Sequence, residues 1–204
     1  MARHGTRVSS HPLAGTVPRG DTARSDADAQ RGLAGSTKNQ DEHRYVVDAI
    51  AGALGPFCAE LSVPGEPSVV VFRSVAHLGT RIEGRLDEDG VRAAGVLELL
   101  ERLHPTPAVG GTPRPEALAF IEDHEAGGRG HWAGPVGWVG AGGDGEWMIG
   151  IRSAQVDADG TSLSLRAGGG VVADSDPDAE ADEANVKLAT VLDAVAPGAS
   201  VQLR

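Results

Sequence analysis

The chain has 204 residues, 40% of them hydrophobic, and a formal net charge of −11 at pH 7. This length predicts one large domain, or part of one, with a real core, and the negative charge argues against nucleic acid or an anionic membrane surface as a partner. A single cysteine, Cys58, excludes a disulfide framework and a cysteine metal site, and no apolar run approaches the ~18 residues of a membrane span or forms a signal core. We therefore expect a soluble protein of the reducing cytoplasm.

The first 36 residues carry weak signals. Residues 1–10 alternate slightly in polarity and resemble the middle of a strand rather than the start of a chain. Gly15 and Thr16 predict a flexible turn with an available hydroxyl, because glycine permits backbone conformations that other residues avoid. The polar residues 20–36 predict a surface loop that includes a short helix.

A helix is predicted from Thr37, because Thr37 and Gln40 resemble a capping box. Its buried stripe is expected to contain Val46, Val47, Ile50, Ala51 and Leu54, and Gly55-Pro56 ends it. Glu42 lies one turn before Val46, at the edge of this stripe. A carboxylate there is either bound to a metal or paired, or it is an ordinary helix-start glutamate that interacts with the helix dipole.

The middle of the chain predicts strands over residues 59–86, followed by a second helix over 90–103. Residues 69–72 form an apolar run that is expected to be buried, and His77 follows as either a core residue or a catalytic one. The expected buried face of the second helix contains Val96, Leu99, Leu100 and Leu103. Residues 104–118, HPTPAVGGTPRPEAL, predict a rigid loop before a helix that starts near Arg114 and ends near Glu125.

Two paired strands are predicted at residues 131–139 and 146–156, across a glycine turn at 140–145. Arg152 falls in the second of them, within an otherwise apolar stretch. A guanidinium in such a strand needs a partner, and it suits a carboxylate because it can donate two parallel hydrogen bonds. That carboxylate belongs either to a ligand or to a structural ion pair.

The segment RAGGGVVADSDPDAEADEANVK, residues 166–187, predicts a strand, a glycine loop and a helix. Three consecutive glycines permit positive φ angles and close approach of another group. Asp176 and Pro177 predict the helix start. Glu180, Glu183 and Lys187 share one helical face, whereas the opposite face, predicted to be core, contains Leu188, Val191 and Leu192. This arrangement suits a ligand with several carboxylates plus a divalent metal, or it is a β-turn-α unit with a solvated acidic face.

Together the elements predict an α+β fold with largely antiparallel strands. The motifs HPLAGT, STKNQDEH, VAHL, LHPTPAVGGTP, RGHWAGPVGW, IGIRSA and AGGGVVADSDPDAEADEANVKL occur in this order. In this the chain resembles the chorismate-binding enzymes from about residue 6 to 195. The resemblance implies the fold of anthranilate synthase component I and identifies residues 1–204 as the C-terminal part of the catalytic domain.

The HPTPAVGGTP loop is similar to that of the isochorismate synthase branch. The anthranilate and aminodeoxychorismate branches carry Val-Asp-Leu-x-Arg-Asn-Asp after the Glu-His pair, whereas this chain has VDAIA at 47–51. The resemblance implies a Mg²⁺-dependent conversion of chorismate to isochorismate, for menaquinone or siderophore biosynthesis. A salicylate synthase-like enzyme is the next alternative, and a non-catalytic chorismate-binding remnant is another.

The resemblance also implies roles for individual residues. Glu42 and Glu183 are expected to bind Mg²⁺ directly, and Glu180 and Asn39 through water, so that the ion holds the ring carboxylate of chorismate. Arg152 and the amides of the glycine loop are expected to hold the enolpyruvyl carboxylate. The implied substrate-binding residues are Gly15, Thr16, His77, Thr106, Trp132, Arg152, Gly168, Gly169, Gly170 and Lys187.

Some positions depart from the family pattern. Asn39 replaces a residue that is often acidic, Trp132 replaces Tyr or Phe, and Gly169 replaces Ala. The base lysine and the acid glutamate of the family lie upstream of HPLAG. We therefore expect this chain to contain the metal and carboxylate half of the site without the acid/base half, and to be inactive alone.

Overall fold

The computed structural model of the chain describes residues 1–125 and 127–197, apart from the side chains of residues 92 and 93. Every strand pairing within these residues is antiparallel. The largest sheet has the order β4-β7-β2-β1-β9-β8, formed by Cys58–Ser62, Ile82–Leu86, Arg7–Ser10, Ala2–His4, Gly145–Ile149 and Pro135–Val139. A three-stranded sheet, β3-β6-β5, contains Leu13–Pro18, Val75–Gly79 and Ser68–Val71, and a separate hairpin pairs β10, Ala154–Val156, with β11, Leu163–Leu165.

Helices separate these strands along the chain. They are α1 Ala23–Gly35, α2 Thr37–Leu54, α3 Glu88–Ala93, α4 Val96–Leu103, α5 Pro107–Gly110, α6 Arg114–His124 and α7 Pro177–Val195, with a short 3-10 helix at Gly55–Phe57. The α+β class with antiparallel strands is therefore confirmed. Among the described residues, none of these helices combines the length and apolarity that crossing a membrane would need.

The main core forms where α2 packs against the six-stranded sheet. Val46, Val47, Ile50 and Leu54 are all buried, as their helical spacing predicts. They join Ile82, Leu86 and Leu99 in one apolar cluster from β7 and α4. This packing fixes α2 and places Glu42 at the edge of the core.

The N-terminal region is more ordered than the sequence predicts. Residues 1–10 form the hairpin β1-β2. The turn predicted at Gly15 and Thr16 is wrong, because both residues lie within β3, where a bulge at Gly15 with φ of 70° interrupts the pairing with β6. The loop predicted at 20–36 is mostly the 13-residue α1, which Thr22 and Ser25 cap reciprocally and which Leu33 anchors in a second apolar cluster.

The start of one helix, the continuity of another and the burial of one strand also differ from the predictions. Ser36 caps α2 instead of Thr37, because its Oγ accepts from the backbone N–H of Asn39 at 3.3 Å. The helix predicted at 90–103 is two helices, and at the break the Val96 amide donates to the carbonyl of Gly143 at 2.8 Å. The run 69–72 is only partly buried, because it ends in the exposed residues Val71 and Phe72 at an edge strand.

The segment around Arg152 is not a strand. β9 ends at Ile149 and β10 begins at Ala154, and Arg152 between them has a φ of 52°. Residues 131–134, predicted as strand, form a turn before β8. In contrast, the predicted start of α7 is confirmed, since the Asp176 side chain accepts from the Ala179 amide at 2.9 Å.

Candidate active site

A cavity of about 260 Å³ lies where the three-stranded sheet, α2, α7 and the loop after β9 meet. The residues Ala167–Gly170, named here the glycine loop, form one of its walls. The predicted site residues that line it are Gly15, Thr16, Glu42, His77, Trp132, Arg152, Gly168, Gly169, Gly170, Glu183 and Lys187. Groups spread over more than 170 positions of the sequence thus face one cavity.

The glycine loop passes unusually close to two carboxylates. A Cβ atom on Gly170 would lie 2.6 Å from Oε1 of Glu42, and one on Gly169 would lie 2.9 Å from Oε2 of Glu180. A Cβ atom at either position would have to displace the carboxylate or the loop, and glycine lets both stay in place. The positive φ angles that the sequence allows do not occur at residues 168–170.

Two lysines hold the carboxylates of α7. Glu183 and Lys187 form an ion pair at 2.8 Å, and the Lys187 ammonium also donates to the Gly168 carbonyl at 3.0 Å. Lys38 of α2 reaches across to Oε1 of Glu180, which also accepts from the Ser175 hydroxyl at 2.7 Å. Lys38 was not among the predicted site residues. The signal for it was its position one turn before Glu42 on the same helix.

The three carboxylates have different electrostatic surroundings. Burial raises the pKa of Glu42, and the negative charge of Glu183 raises it further. For Glu180, burial also acts upward, but the hydrogen bonds from Lys38 and Ser175 outweigh it and the pKa is lowered. The pKa of Lys38 is raised, chiefly by its hydrogen bond to Glu180, with the charges of Glu183 and Glu42 contributing. These mutual effects show that the three carboxylates lie within electrostatic reach of one another.

The donor set has the chemistry that Mg²⁺ requires, although the carboxylates do not form a ready-made cage. Among residues 1–125 and 127–197, no group of three or more His, Cys, Asp or Glu side chains is arranged to hold a metal ion. Within the same residues, Oε2 of Glu180 is buried without a hydrogen-bond partner. A buried carboxylate oxygen without a donor is costly, and it suits a cation or a cation-bound water. The residues therefore fit the ion, which stays a prediction.

Asn39 lies beside this cluster, on the same face of α2 as Glu42. Its side-chain amide donates to Ser36 Oγ at 3.0 Å. Its Oδ1 lies 3.0 Å from the position of a Cβ on Gly15, so it packs against the bulge of β3. Asn39 thus contacts the three-stranded sheet and lies one turn before Glu42 on α2, but it is not among the described residues that line the 260 Å³ cavity.

His77 is buried on β6, with both ring nitrogens close to polar groups. Nδ1 lies 3.1 Å from the Gly15 carbonyl oxygen and 3.1 Å from Thr16 Oγ1. Because a carbonyl only accepts, Nδ1 carries the proton and Nε2 presents its lone pair to the Arg152 guanidinium, 3.4 Å away. Burial lowers the pKa of His77, and the charges of Arg152 and Lys187 add to this. His77 is therefore a neutral ring in the wall of the cavity.

Arg152 reaches the cavity from a left-handed backbone conformation, which is uncommon for a residue with a side chain. Such strain is typical of residues whose direction is functionally constrained. No carboxylate pairs with Arg152 among the described residues, for which its hydrogen-bond partner is His77. This favours the ligand-binding interpretation of Arg152 over the structural ion pair.

Sequence reasoning missed a second polar group, formed by Glu125 and Arg129. Arg129 donates two hydrogen bonds to the Glu125 carboxylate, at 2.7 and 2.6 Å, and a third to the Val109 carbonyl. Its guanidinium stacks 4.9 Å from the centre of the Trp132 ring. The pair lines both the 260 Å³ cavity and a neighbouring one of about 580 Å³ that shares Glu42. Glu125 and Arg129 are four residues apart, as in a helical ion pair, but Gly127 and Gly128 lie between them and favour a loop.

Thr106 lies elsewhere. It precedes α5 and lines a neighbouring apolar cavity of about 310 Å³. Its carbonyl accepts from the amides of Val109 and Gly110, which begins the turn of α5, and Ala108 and Val109 line both this cavity and the one of 260 Å³. The structure therefore does not bring Thr106 together with the other predicted substrate residues.

The chain is similar to known proteins in both sequence and fold. The model of the chorismate binding enzyme family matches residues 1–196. Isochorismate synthase DhbC from Bacillus subtilis is 44% identical over 195 residues, which are 96% of this chain and 48% of that protein. The chain thus spans about half the length of the curated relatives it matches.

Two solved structures have the same fold. A protein from Bacillus anthracis, provisionally named a 2,3-dihydroxybenzoate-specific isochorismate synthase, superposes with a TM-score of 0.89 and 42% identity, over 97% of this chain and 52% of that one. MenF, the menaquinone-specific isochorismate synthase from Escherichia coli, gives a TM-score of 0.80 and 32% identity, over 93% and 42%. The predicted fold is confirmed.

Proposed function

The chain belongs to the chorismate-binding enzyme family, and from that premise we propose that it forms the chorismate-binding and cation-binding part of an isochorismate synthase. The observation that carries this proposal is the cavity where Arg152 and the glycine loop face Glu42 and Glu183. Cationic and amide donors therefore line the same cavity as two carboxylates. A substrate with two carboxylates suits this polarity, with one bound directly and one through a cation.

The enolpyruvyl carboxylate is held by Arg152 and by backbone amides of the glycine loop. Arg152 is suited to this because it has no carboxylate partner among the described residues, and because a guanidinium binds a carboxylate through two parallel hydrogen bonds. His77 supports it: its Nδ1 is tied to the Gly15 carbonyl, and Nε2 faces the guanidinium as an acceptor. Trp132 closes the same end of the cavity beneath Arg129.

The ring carboxylate is held at the other end, beside the carboxylates of α2 and α7. Mg²⁺ fits there, with Glu42 and Glu183 as direct ligands and with Glu180 and Asn39 acting through water. When bound, the ion supplies positive charge that neutralises the ring carboxylate and fixes its orientation. Lys187 contributes a second positive charge and ties α7 to the glycine loop through Gly168.

Isochorismate formation adds water at C2 of the ring and expels the C4 hydroxyl, so it requires a general base and a general acid. We assign neither role to the described residues. His77 has a lowered pKa and a guanidinium beside its free nitrogen, and Lys187 is held by Glu183 and Gly168. The base and the acid are instead the lysine and the glutamate that the family carries upstream of the HPLAG motif.

The experiment is an assay with chorismate and Mg²⁺, read by chromatographic separation of isochorismate, salicylate and chorismate. It compares residues 1–204 with a protein that also contains the upstream segments in which the family carries its base lysine and its acid glutamate. Each acid or base group contributes typically about 10²–10⁴-fold, so we expect turnover only in the longer protein. Enzyme-like turnover by residues 1–204 would show that the acid and base lie within them, and salicylate as product would move the assignment to that branch.

A further inference from the structure

Lys38 occupies a position that no assigned role explains. It lies on α2, one turn before Glu42, and its ammonium crosses to Glu180 on α7, 142 residues later in the chain. Both side chains are mostly buried, with exposures of 28% for Lys38 and 12% for Glu180. The contact joins the two helices that carry the carboxylate cluster, which we define as Glu42, Glu180 and Glu183.

The positive charges around this cluster differ in how firmly they are held. Lys187 has two partners, the carboxylate of Glu183 and the carbonyl of Gly168. Lys38 is bonded to a single oxygen, Oε1 of Glu180, among the described residues. Its charge nevertheless acts on all three carboxylates of the cluster. Its ammonium thus sits on one oxygen of Glu180, between the two helices that carry the cluster.

The remaining oxygen of Glu180 argues against a purely structural ion pair. Oε2 is buried without a hydrogen-bond partner among the described residues, and it lies 2.9 Å from the position of a Cβ on Gly169. A carboxylate that served only to pair with Lys38 and Ser175 would leave this oxygen desolvated at a cost. A donor that arrives with a ligand, such as a cation-bound water, removes that cost.

We propose that Lys38 is an internal counter-ion of the carboxylate cluster: its ammonium neutralises Glu180 while no divalent cation is bound, and it withdraws from the cluster when one enters. This rests on the proposed function, because it takes the cluster as the cation site. The ammonium limits repulsion among the three carboxylates, so that α2 and α7 stay together before the ion binds. It also competes with the ion, and so weakens cation binding.

The test measures Mn²⁺ binding to the full-length protein by electron paramagnetic resonance, without substrate. Lys38→Met is compared with the unsubstituted protein and with Arg44→Met, which removes one positive charge from the exposed face of the same helix. Removal of a unit charge a few ångströms from a bound cation is expected to tighten Mn²⁺ binding on the order of tenfold in Lys38→Met. Arg44→Met is expected to stay within about twofold, because solvent and salt screen its charge.

Thermal unfolding gives a second readout. Lys38→Met is expected to melt at a lower temperature than the unsubstituted protein in EDTA, because its three carboxylates lose a counter-ion. Saturating Mg²⁺ is expected to remove this deficit, since the ion takes over the neutralisation. If Lys38→Met does not fold, Lys38→Gln, which can still donate a hydrogen bond to Glu180, is measured in its place with the same expected direction.

Equal or weaker Mn²⁺ binding by the Lys38 variant overturns the proposal, and so does a melting deficit that persists in saturating Mg²⁺. Mn²⁺ binding that Glu183→Gln leaves unchanged places the ion outside the cluster and overturns it as well. The proposed function is judged separately, by isochorismate formation in the unsubstituted protein. If the unsubstituted protein forms isochorismate and Lys38→Met binds Mn²⁺ with unchanged affinity, the counter-ion role of Lys38 is rejected and the proposed enzymatic function is retained.

Discussion

The two helices that face each other across the candidate site are held by different forces. α2 buries Val46, Val47, Ile50 and Leu54 in the main core. In α7, within the described part of the chain, Val191 is the one buried residue, and Leu188 and Leu192 are only half-buried. Nevertheless, α2 presents Glu42 and Lys38 to the same region as α7 presents Glu180, Glu183 and Lys187.

The two helices therefore form two walls of the site that are stabilised by different interactions. The wall formed by α2 is fixed by apolar packing, which does not depend on what occupies the site. The wall formed by α7 and the glycine loop is held to a larger extent by polar contacts, such as Lys38 with Glu180 and Lys187 with Gly168. Since ion pairs, whether exposed or buried, contribute less net stability than well-packed apolar side chains, a bound cation and substrate are expected to stabilise the α7 wall most.

The largest expected effect tests the packing difference directly. Leu54→Ala in α2 is expected to lower the free energy of unfolding by about 2–5 kcal/mol, since it leaves a cavity in a close-packed core. Leu192→Ala in α7 is the matched control, and it is expected to cost about 1 kcal/mol, as for an average substitution. Urea denaturation of both variants measures this. Equal losses would show that α7 is packed as firmly as α2.

The same contrast explains what the sequence could predict. The stripe of α2 repeats with helical spacing over three turns, and that pattern alone locates its buried face. The start of α7 was equally clear, because Asp176 and Pro177 are chemically suited to the first turn. Local signals of this kind depend on neighbours within a few positions.

The errors arise where distant contacts decide the structure. Gly15 reads locally as a turn, but pairing with β6, about 60 positions later, makes it a bulge within a strand. Lys38 and Arg129 lie within two of the quoted motifs, but their roles depend on distant partners. Lys38 bonds to Glu180, 142 positions later, and Arg129 bonds to the Val109 carbonyl, 20 positions earlier. Most residues of the candidate site were predicted from the family resemblance, because the motifs of a family reflect contacts between distant parts of the chain. Thr106 is an exception, since it lines a different cavity from the other predicted substrate residues.

The second prediction concerns the contact between the two walls. Gly170→Ala places a Cβ 2.6 Å from Oε1 of Glu42, and α2 is fixed by its core packing. Either the Glu42 carboxylate or the glycine loop must then shift, and both line the cavity, so chorismate binding in the presence of Mg²⁺ is expected to weaken by about 2–3 kcal/mol. Gly168→Ala is the control, because its Cβ meets Trp132 at an ordinary 3.8 Å. Titration calorimetry measures both, and similar affinities for the two variants would contradict the close contact.

The third prediction concerns Arg152, which lies in the loop after β9 and lines the same cavity as Glu42 of α2 and Glu183 of α7. Arg152→Lys keeps the charge but loses the planar pair of donors, so chorismate binding is expected to weaken by about 1–2 kcal/mol. The free energy of unfolding is expected to change little, because no carboxylate pairs with Arg152 among the described residues. Calorimetry and urea denaturation separate the two effects. A loss of stability with intact affinity would restore the structural interpretation of Arg152.

The smallest expected effect contrasts one carboxylate from each helix, in EDTA. Burial and Glu183 raise the pKa of Glu42 above its usual 4.5, so the fold favours the neutral carboxyl over the ionised one. The stability that the neutral carboxyl contributes is present below pH 4.5 and is lost as the pH rises from 4.5 through the folded-state pKa. Glu42→Gln is therefore expected to raise the melting temperature at pH 8 by about 2–4 °C, the shift for ~1 kcal/mol in a domain of this size, with the gain disappearing toward pH 4.5.

For Glu180 the sign is opposite. The hydrogen bonds from Lys38 and Ser175 outweigh burial and lower its pKa, so the stabilisation by its ionised form is present above pH 4.5 and is lost as the pH falls through the folded-state pKa. Glu180→Gln is therefore expected to lower the melting temperature at pH 8. Shifts of the same sign in both variants would mean that the carboxylates of α2 and α7 share one environment, and the contrast between the two walls would then be confined to their apolar packing.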